Sequence, residues 1–568
     1  MLCKLIGSKA MVKITTKSYL LYGAALGALI IILLTLILNS SDNSLFLFNQ
    51  NNNNNKQQQP NEQEGEDNDY YLRGAVNSTS GEGKQVLEKY EKHLCGESSE
   101  KNTEFIQEYS IPIIACSQPV GIVVEDNNDK IWIAATWVGY LVVFDPDLKR
   151  FVDFIEIPNW RTKGIFGSMV WGMEFDKKGN LWFTDQVNNA IWRYFTAEKR
   201  FEMYKVPTKS SYPGQVSFDS QGKVWFSEIF GKKIGVINPD EAVHNTTRGI
   251  TEYELDLGEE QNVESIGPTT VSSNGSSNSN NDNNNNTVWF TAVDFPEGGK
   301  IVRFDMNKEK FEIFDLPIGS GVPIGIAEDD KGRLWINNHA TNLFFMFDPL
   351  TEEVVQYSTS LPTSRNSTTT LPYWNAFRDG KVWFNEHEGN AMAYFDITNS
   401  TLVEYQIPTR SEIWGNTSNA LKFALDGKGS AWFTEWTENK IGVLDSKKLD
   451  DIPIWLSVSK NSIILDRKNP AGKQEESLQI FVYPNRSNLE EPVKMTVAGS
   501  ISSLGRLWNM TGQFSKDVFY FPKEGMEPYM VTLKVKPTQD LVPGNYTLTV
   551  GARYESITYS KIVSLVVK

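Results

Sequence analysis

A chain of 568 residues exceeds one ordinary domain, and its 40% hydrophobic and 12% aromatic content can fill at least two large cores. The net charge of −15 excludes a protein that lives on nucleic-acid phosphates, because such binding needs a basic face to release counterions. No nucleic-acid partner is expected.

Tyr19 to Leu38 ("YLLYGAALGALIIILLTLIL") carries no charge and is long enough to cross a bilayer as a helix. Lys4, Lys9, Lys13 and Lys17 precede it without an acidic residue, so the positive-inside bias places residues 1–18 in the cytoplasm and the bulk of the chain outside. The run ends at "NSSDNS" without an A-x-A-like site, which favours an uncleaved single-pass cell-membrane anchor (19–38) over a signal peptide. Residues 39–103 read as a low-complexity tether with a short helix, since "NQNNNNNKQQQPNEQEGEDND" cannot bury enough apolar surface to fold. Asn-x-Ser/Thr sequons at Asn77, Asn245, Asn366, Asn399, Asn416, Asn485, Asn509 and Asn545 suit a glycoprotein surface. Cys95 and Cys116 are either an extracytoplasmic bridge or two buried thiols; spacing alone does not decide.

From residue 104 to 450 the chain repeats. "IWIAA", "LWFTD", "VWFSE", "VWFTA", "LWINN", "VWFNE" and "AWFTE" place Trp132, Trp182, Trp225, Trp289, Trp335, Trp383 and Trp432 in register. Their separations are 50, 43, 64, 46, 48 and 49 residues, and the 64 contains a polar insertion between Ser272 and Asn286. Each unit reads as an apolar strand, a Gly-containing turn, the Trp strand and two further strands, which predicts a seven-bladed β-propeller. "EYSIP" before the first unit has no counterpart after the last, so Phe105 to Ile111 should supply the outer strand of the seventh blade. The final stretch, 454–568, loses the repeat and offers seven strand candidates, among them "GNYTLTVGARY", consistent with an immunoglobulin-like β-sandwich.

The third residue after each Trp should emerge on one face of the ring. Asp185, Glu228, Glu386 and Glu435 occupy four of these positions, an oxygen-rich set that would suit magnesium or calcium, with His339 and His387 at the next position as candidate bases. The alternative is that such carboxylates at strand ends are solvated or hydrogen-bond to the neighbouring blade, and that the repeat copies them without chemical purpose. Trp171, Tyr373 and Trp374 are candidate binding aromatics at the mouth. No G-x-S-x-G, H-E-x-x-H or phosphate-cradling loop occurs.

"WFTEWTENKIGVLD", "LWFTDQVNNAIWRY" and "VWFSEIFGKKIGVI", with adjoining "E-Y-x-I-P" segments, resemble the streptogramin B lyase (virginiamycin B lyase) family over residues 104–445. The resemblance implies a seven-bladed propeller and, in active members, magnesium-dependent elimination in a cyclic depsipeptide. The family's catalytic histidines lie in Pro-His-Gly or Pro-His-Ala turns, whose counterparts align with Val120, Trp171, Gly214, Ile324, Trp374 and Ser418. None is His. The expectation is therefore a membrane-anchored extracytoplasmic binding protein for a peptide, glycan or envelope partner. The alternative is a metal-dependent lyase or hydrolase acting on a cyclic ester or lactone.

Overall fold

A computed structural model describes residues 99–568 apart from short stretches, the longest being 161–167, 273–285 and 467–474. The anchor at 19–38, Cys95 and nearly all of the tether lie outside the described residues, as does most of the 272–286 insertion. Cys116 is disulfide-bonded. Among the described residues no helix is long and apolar enough to cross a membrane.

The repeat folds as seven four-stranded antiparallel sheets. In the first, Pro119–Val124, Ile131–Ala135, Tyr140–Asp145 and Arg150–Glu156 follow one another in order. The innermost strands of the others are Met173–Phe175, Pro213–Phe218, Ser265–Val271, Pro323–Glu328, Pro372–Arg378 and Ala420–Leu425. Each innermost strand neighbours the next, and the seventh neighbours the first, so the ring is closed and propeller-like. Every repeating Trp is buried. Five donate their indole N–H to the carboxylate that opens the preceding turn: Trp132 to Glu125, Trp182 to Asp176, Trp225 to Asp219, Trp335 to Asp329 and Trp432 to Asp426, at 2.9–3.1 Å. Asp219, Asp329 and Asp426 also accept two backbone N–H groups of their turn, so one side chain shapes the hairpin and fixes the indole.

The ring closes through a strand that precedes it in sequence. Ile106–Ser110 pairs antiparallel with Lys440–Leu444, from Ile106 opposite Leu444 to Ser110 opposite Lys440. Glu108 is fully buried and lies 3.0 Å from the equally buried Lys440 ammonium. Its carboxylate also accepts from Thr409 N–H and Oγ1, at 3.1 and 2.6 Å. Asn439, in the left-handed conformation that Asn tolerates, donates to the carbonyls of Ile111 and Ile113 and accepts from Ser117. Asn189 and Asn390 make the same staple in the second and sixth sheets. The "TENK" of the seventh repeat is thus a joint.

The C-terminal region differs from the expected seven separate strands. Nine strands form two layers around one core that includes Leu456, Ile480, Leu533, Val550 and Val563. Ser462–Leu465 and Met510–Phe514 are the additional strands; both are short and carry little apolar alternation. One layer is not an independent sheet. Ile557–Val567 pairs with Thr401–Gln406, the outer strand of the sixth propeller sheet, so that sheet continues into the C-terminal region as one nine-stranded sheet. Thr547 and Thr549 donate to carbonyls of Gln356 and Ser358 in the fifth sheet, at 2.9 and 2.6 Å.

Deleting residues 104–112 should lower the melting temperature by ~10 °C or more in calorimetry. It bares a strand edge and strands the Lys440 charge, a loss of about 3–5 kcal/mol. Ending the chain at residue 452 should leave a folded ring that aggregates, read by light scattering, because the Thr401–Gln406 edge is uncovered.

Candidate functional site

Register defines what faces the axis. In six of the seven innermost strands the pairing slips by one residue near its start, as between Pro372 and Asn375. Such a bulge turns two successive residues toward the same side. Counting from the paired residue, the first bulge position holds Val120, Gly214, Gly267, Ile324, Tyr373 and Leu421, with Trp171 equivalent in the second sheet. The sequence alignment is corrected at two sheets, Tyr373 replacing Trp374 and Leu421 replacing Ser418, because strand register and not motif spacing fixes the position. The fourth sheet contributes Gly267. None of these seven residues is His.

The bulge leaves backbone groups that the side chain two residues beyond the Trp satisfies. Thr184 Oγ1 accepts from Gly172 N and donates to Gly214 O in the next sheet, at 3.0 and 3.3 Å. Asn385 accepts from Trp374 N at 3.0 Å and donates to Ala420 O. Asn337 donates to Trp374 O at 3.1 Å, and Thr434 donates to Val120 O at 3.1 Å, across the closure.

The mouth where the innermost strands begin is closed by a plug. Val120, Met169, Tyr373, Leu421 and Trp436 form a buried apolar cluster with Trp171, Ile324 and Trp374 packed on it. Trp171 and Tyr373 meet across it, ring centroids 5.9 Å apart. The three expected binding aromatics are therefore brought together, Tyr373 as packing at only 9% exposure, and Trp171 and Trp374 partly buried and reaching the channel below. His339 and His387 are also brought together. Their rings stack at 5.1 Å and 10°, with His339 Nε2 2.9 Å from His387 Nδ1, and Tyr373 packs edge-on against His339. Burial holds both imidazoles below their ordinary pKa, so they share one hydrogen bond as neutral rings.

The four carboxylates do not converge. Asp185 accepts from Ser168 Oγ, Asn188 and the Trp192 indole within its own sheet. Glu228 lies opposite Lys233 and interacts with Glu252 of the fourth strand, while Lys233 pairs with Glu252 at 3.4 Å. Glu435 repeats this arrangement with Lys440 and Glu108. In the sixth sheet Glu386 faces Glu404, but the lysine position holds Ala391, and the cation acting on both carboxyls is Arg553 from the C-terminal region. Among the described residues no three His, Cys, Asp or Glu side chains come together as a metal-binding group. The donors expected for magnesium or calcium do not fit such an ion: Asp185 is engaged by Ser168, Asn188 and Trp192, and Glu228, Glu435 and Glu386 each stand by a cation, Lys233, Lys440 and Arg553.

Burial raises the pKa of these carboxyls. Glu228 is pushed up to about 8, chiefly by desolvation and then by Glu252; Glu386 and Glu435 are also raised well above the carboxylate range. Folding therefore favours their protonated form, and unfolding favours ionisation.

The opposite end of the axis is open. A cavity of about 730 Å³ is lined by residues including Glu174, Gln215, Ser217, Thr270 and Trp374. It adjoins a smaller space of about 240 Å³ where Lys422, Glu174, Gln215 and Trp374 meet. Gln215, Trp374 and Lys422 occupy the second bulge position, which in three other sheets is glycine (Gly121, Gly172, Gly325). At Gly172 and Gly325 a Cβ would lie 2.8 Å or less from the next innermost strand's backbone. The larger side chains instead turn into the channel. Sequence reasoning missed Lys422 because "ALKFAL" reads as an ordinary strand.

Because folded Glu228 keeps a proton that the unfolded chain loses near pH 4.3, its contribution is fully present below that pH and is lost as pH rises toward 8, on the order of a few kcal/mol. Glu228→Gln should therefore flatten the decline in melting temperature between pH 5 and pH 8, measured by calorimetry.

No protein-family sequence profile matches the chain, and no curated protein sequence matches it. Among solved structures it is similar to a streptogramin B lyase, at 22% identity and a TM-score of 0.47 over 60% of this chain and 97% of that one. It is similar to virginiamycin B lyase from Staphylococcus aureus, at 22% identity and 0.46 over 60% and 98%. It also resembles the extracellular domain of a one-component system from B. thetaiotaomicron, at 14% identity and 0.42 over 83% and 60%.

Proposed function

We propose that the protein is a membrane-anchored extracytoplasmic binding protein, built from a seven-bladed β-propeller joined to an immunoglobulin-like β-sandwich. Residues 19–38 hold it in the membrane, and its partner is a peptide, glycan or envelope component. One observation carries this reading: the mouth at the start of the innermost strands is filled by Tyr373, Leu421, Trp436 and their neighbours, and no first-position residue is His. Proton abstraction from carbon needs a base within hydrogen-bond reach of the substrate. The two nearby imidazoles are buried, neutral and bonded to each other.

Quinupristin, with which a virginiamycin B lyase of S. aureus has been crystallised, tests the alternative of a lyase. Full-length protein in detergent with magnesium should leave its chromatographic retention and fragmentation pattern unchanged. A ring-opened product that depends on the protein would replace the binding reading with the lyase.

A further inference from the structure

The residue that no part of the fold explains is Lys422. Its side chain is buried, at 5% exposure, and its ammonium stands 2.9 Å above the Trp374 ring centroid. Its hydrogen bond goes to Gln215 Oε1, 3.1 Å away across the channel. Gln215 is aimed for this contact, since its Nε2 donates to Val216 O. Among the described residues no carboxylate forms an ion pair with Lys422, in contrast to Lys440, Lys233 and Lys300. Burial drives the Lys422 pKa well down, with only Glu174 opposing it, so its charged form is costly without an anion beside it, and removing such a group from a core generally stabilises a protein. Its presence at the floor of an open cavity points to an anion from outside.

The surroundings narrow the class. A single ammonium, without arginine or a second lysine at the floor, matches the one charge of a carboxylate better than the two of a phosphate monoester, which arginine forks suit. Glu174 shares that floor and would repel a dianion; burial and Asp126 push its pKa up to about 7, while Lys422 opposes the shift. It can therefore donate or accept a hydrogen bond. Ser217, Thr269 and Thr270 hydroxyls line the cavity above, together with Lys177, Lys178 and the Arg193–Asp176 ion pair, and the Trp374 indole walls it. Hydroxyls, an amide and an indole around one buried cation are the recognition chemistry of a hydroxylated acid, and the space lies in the usual range for small-ligand sites.

We propose that the open end of the channel binds a small hydroxylated organic acid of the uronic-acid class, with its carboxylate on Lys422 and its hydroxyls on Gln215, Ser217 and Thr270. This deepens the binding reading above. Its failure would leave a partner on the outer surfaces untouched, and quinupristin turnover would not bear on it.

Full-length protein in detergent is titrated calorimetrically with sodium D-glucuronate, D-galacturonate, D-glucose and acetate. Saturable heat is expected with at least one uronate, with glucose and acetate at least about tenfold weaker, and the uronate should raise the melting temperature. Lys422→Met should lose uronate binding by more than about tenfold while melting at or above the temperature of the unmodified protein, and Glu174→Gln should keep it. Should Lys422→Met not fold, Lys422→Gln serves in its place, and the melting shift of the unmodified protein needs no variant. Absence of saturable binding by both uronates at about 10 mM, equal binding of glucose or acetate, or full uronate binding by folded Lys422→Met would each overturn the proposal.

Discussion

The ring rests on how a bulged innermost strand keeps its backbone hydrogen-bonded. Slipping the register turns two consecutive residues to the axis and breaks the ladder there, and buried N–H and C=O groups without partners are expensive. Thr184, Asn337, Asn385 and Thr434 mend the break, and all four join one sheet to the next in doing so. The repeated polar residue two places after Trp is therefore the hinge-pin between neighbouring sheets. It explains how side chains from seven separate stretches of sequence are held at one axis closely enough to pack or to bind.

The two ends of that axis have opposite characters for the same reason. The first bulge position carries bulky apolar residues in Val120, Trp171, Ile324, Tyr373 and Leu421, and they collapse into a plug. The second position is glycine in three sheets and Gln, Trp and Lys in three others, so polar groups are concentrated just below the plug and open into space. One residue of register separates a core from a site.

Much of the architecture is legible in the sequence because it is local and periodic. The seven Trp strands, their Asp-Gly turns and the complementary ends that join Ile106–Ser110 to Lys440–Leu444 all leave short, repeated marks. What is not legible depends on contacts between distant segments. Thr401–Gln406 and Ile557–Val567 each look like ordinary amphipathic strands, and nothing in either announces that they pair. The bulge likewise leaves no compositional trace, so motif spacing alone does not tell Tyr373 from Trp374. The carboxylates of Glu228, Glu386 and Glu435 end their strands, yet what each meets depends on a lysine or arginine elsewhere, and for Glu386 that cation is Arg553, far away in the chain.

The shared nine-stranded sheet also has a mechanical meaning. Pulling on the C-terminal region loads the five register pairs from Thr401–Lys561 to Tyr405–Ile557 together, along the strand direction, instead of opening them one after another. The two halves then act as a single stiff body, so tension received by one reaches the ring as strain in its sixth sheet, beside the indole of Trp374.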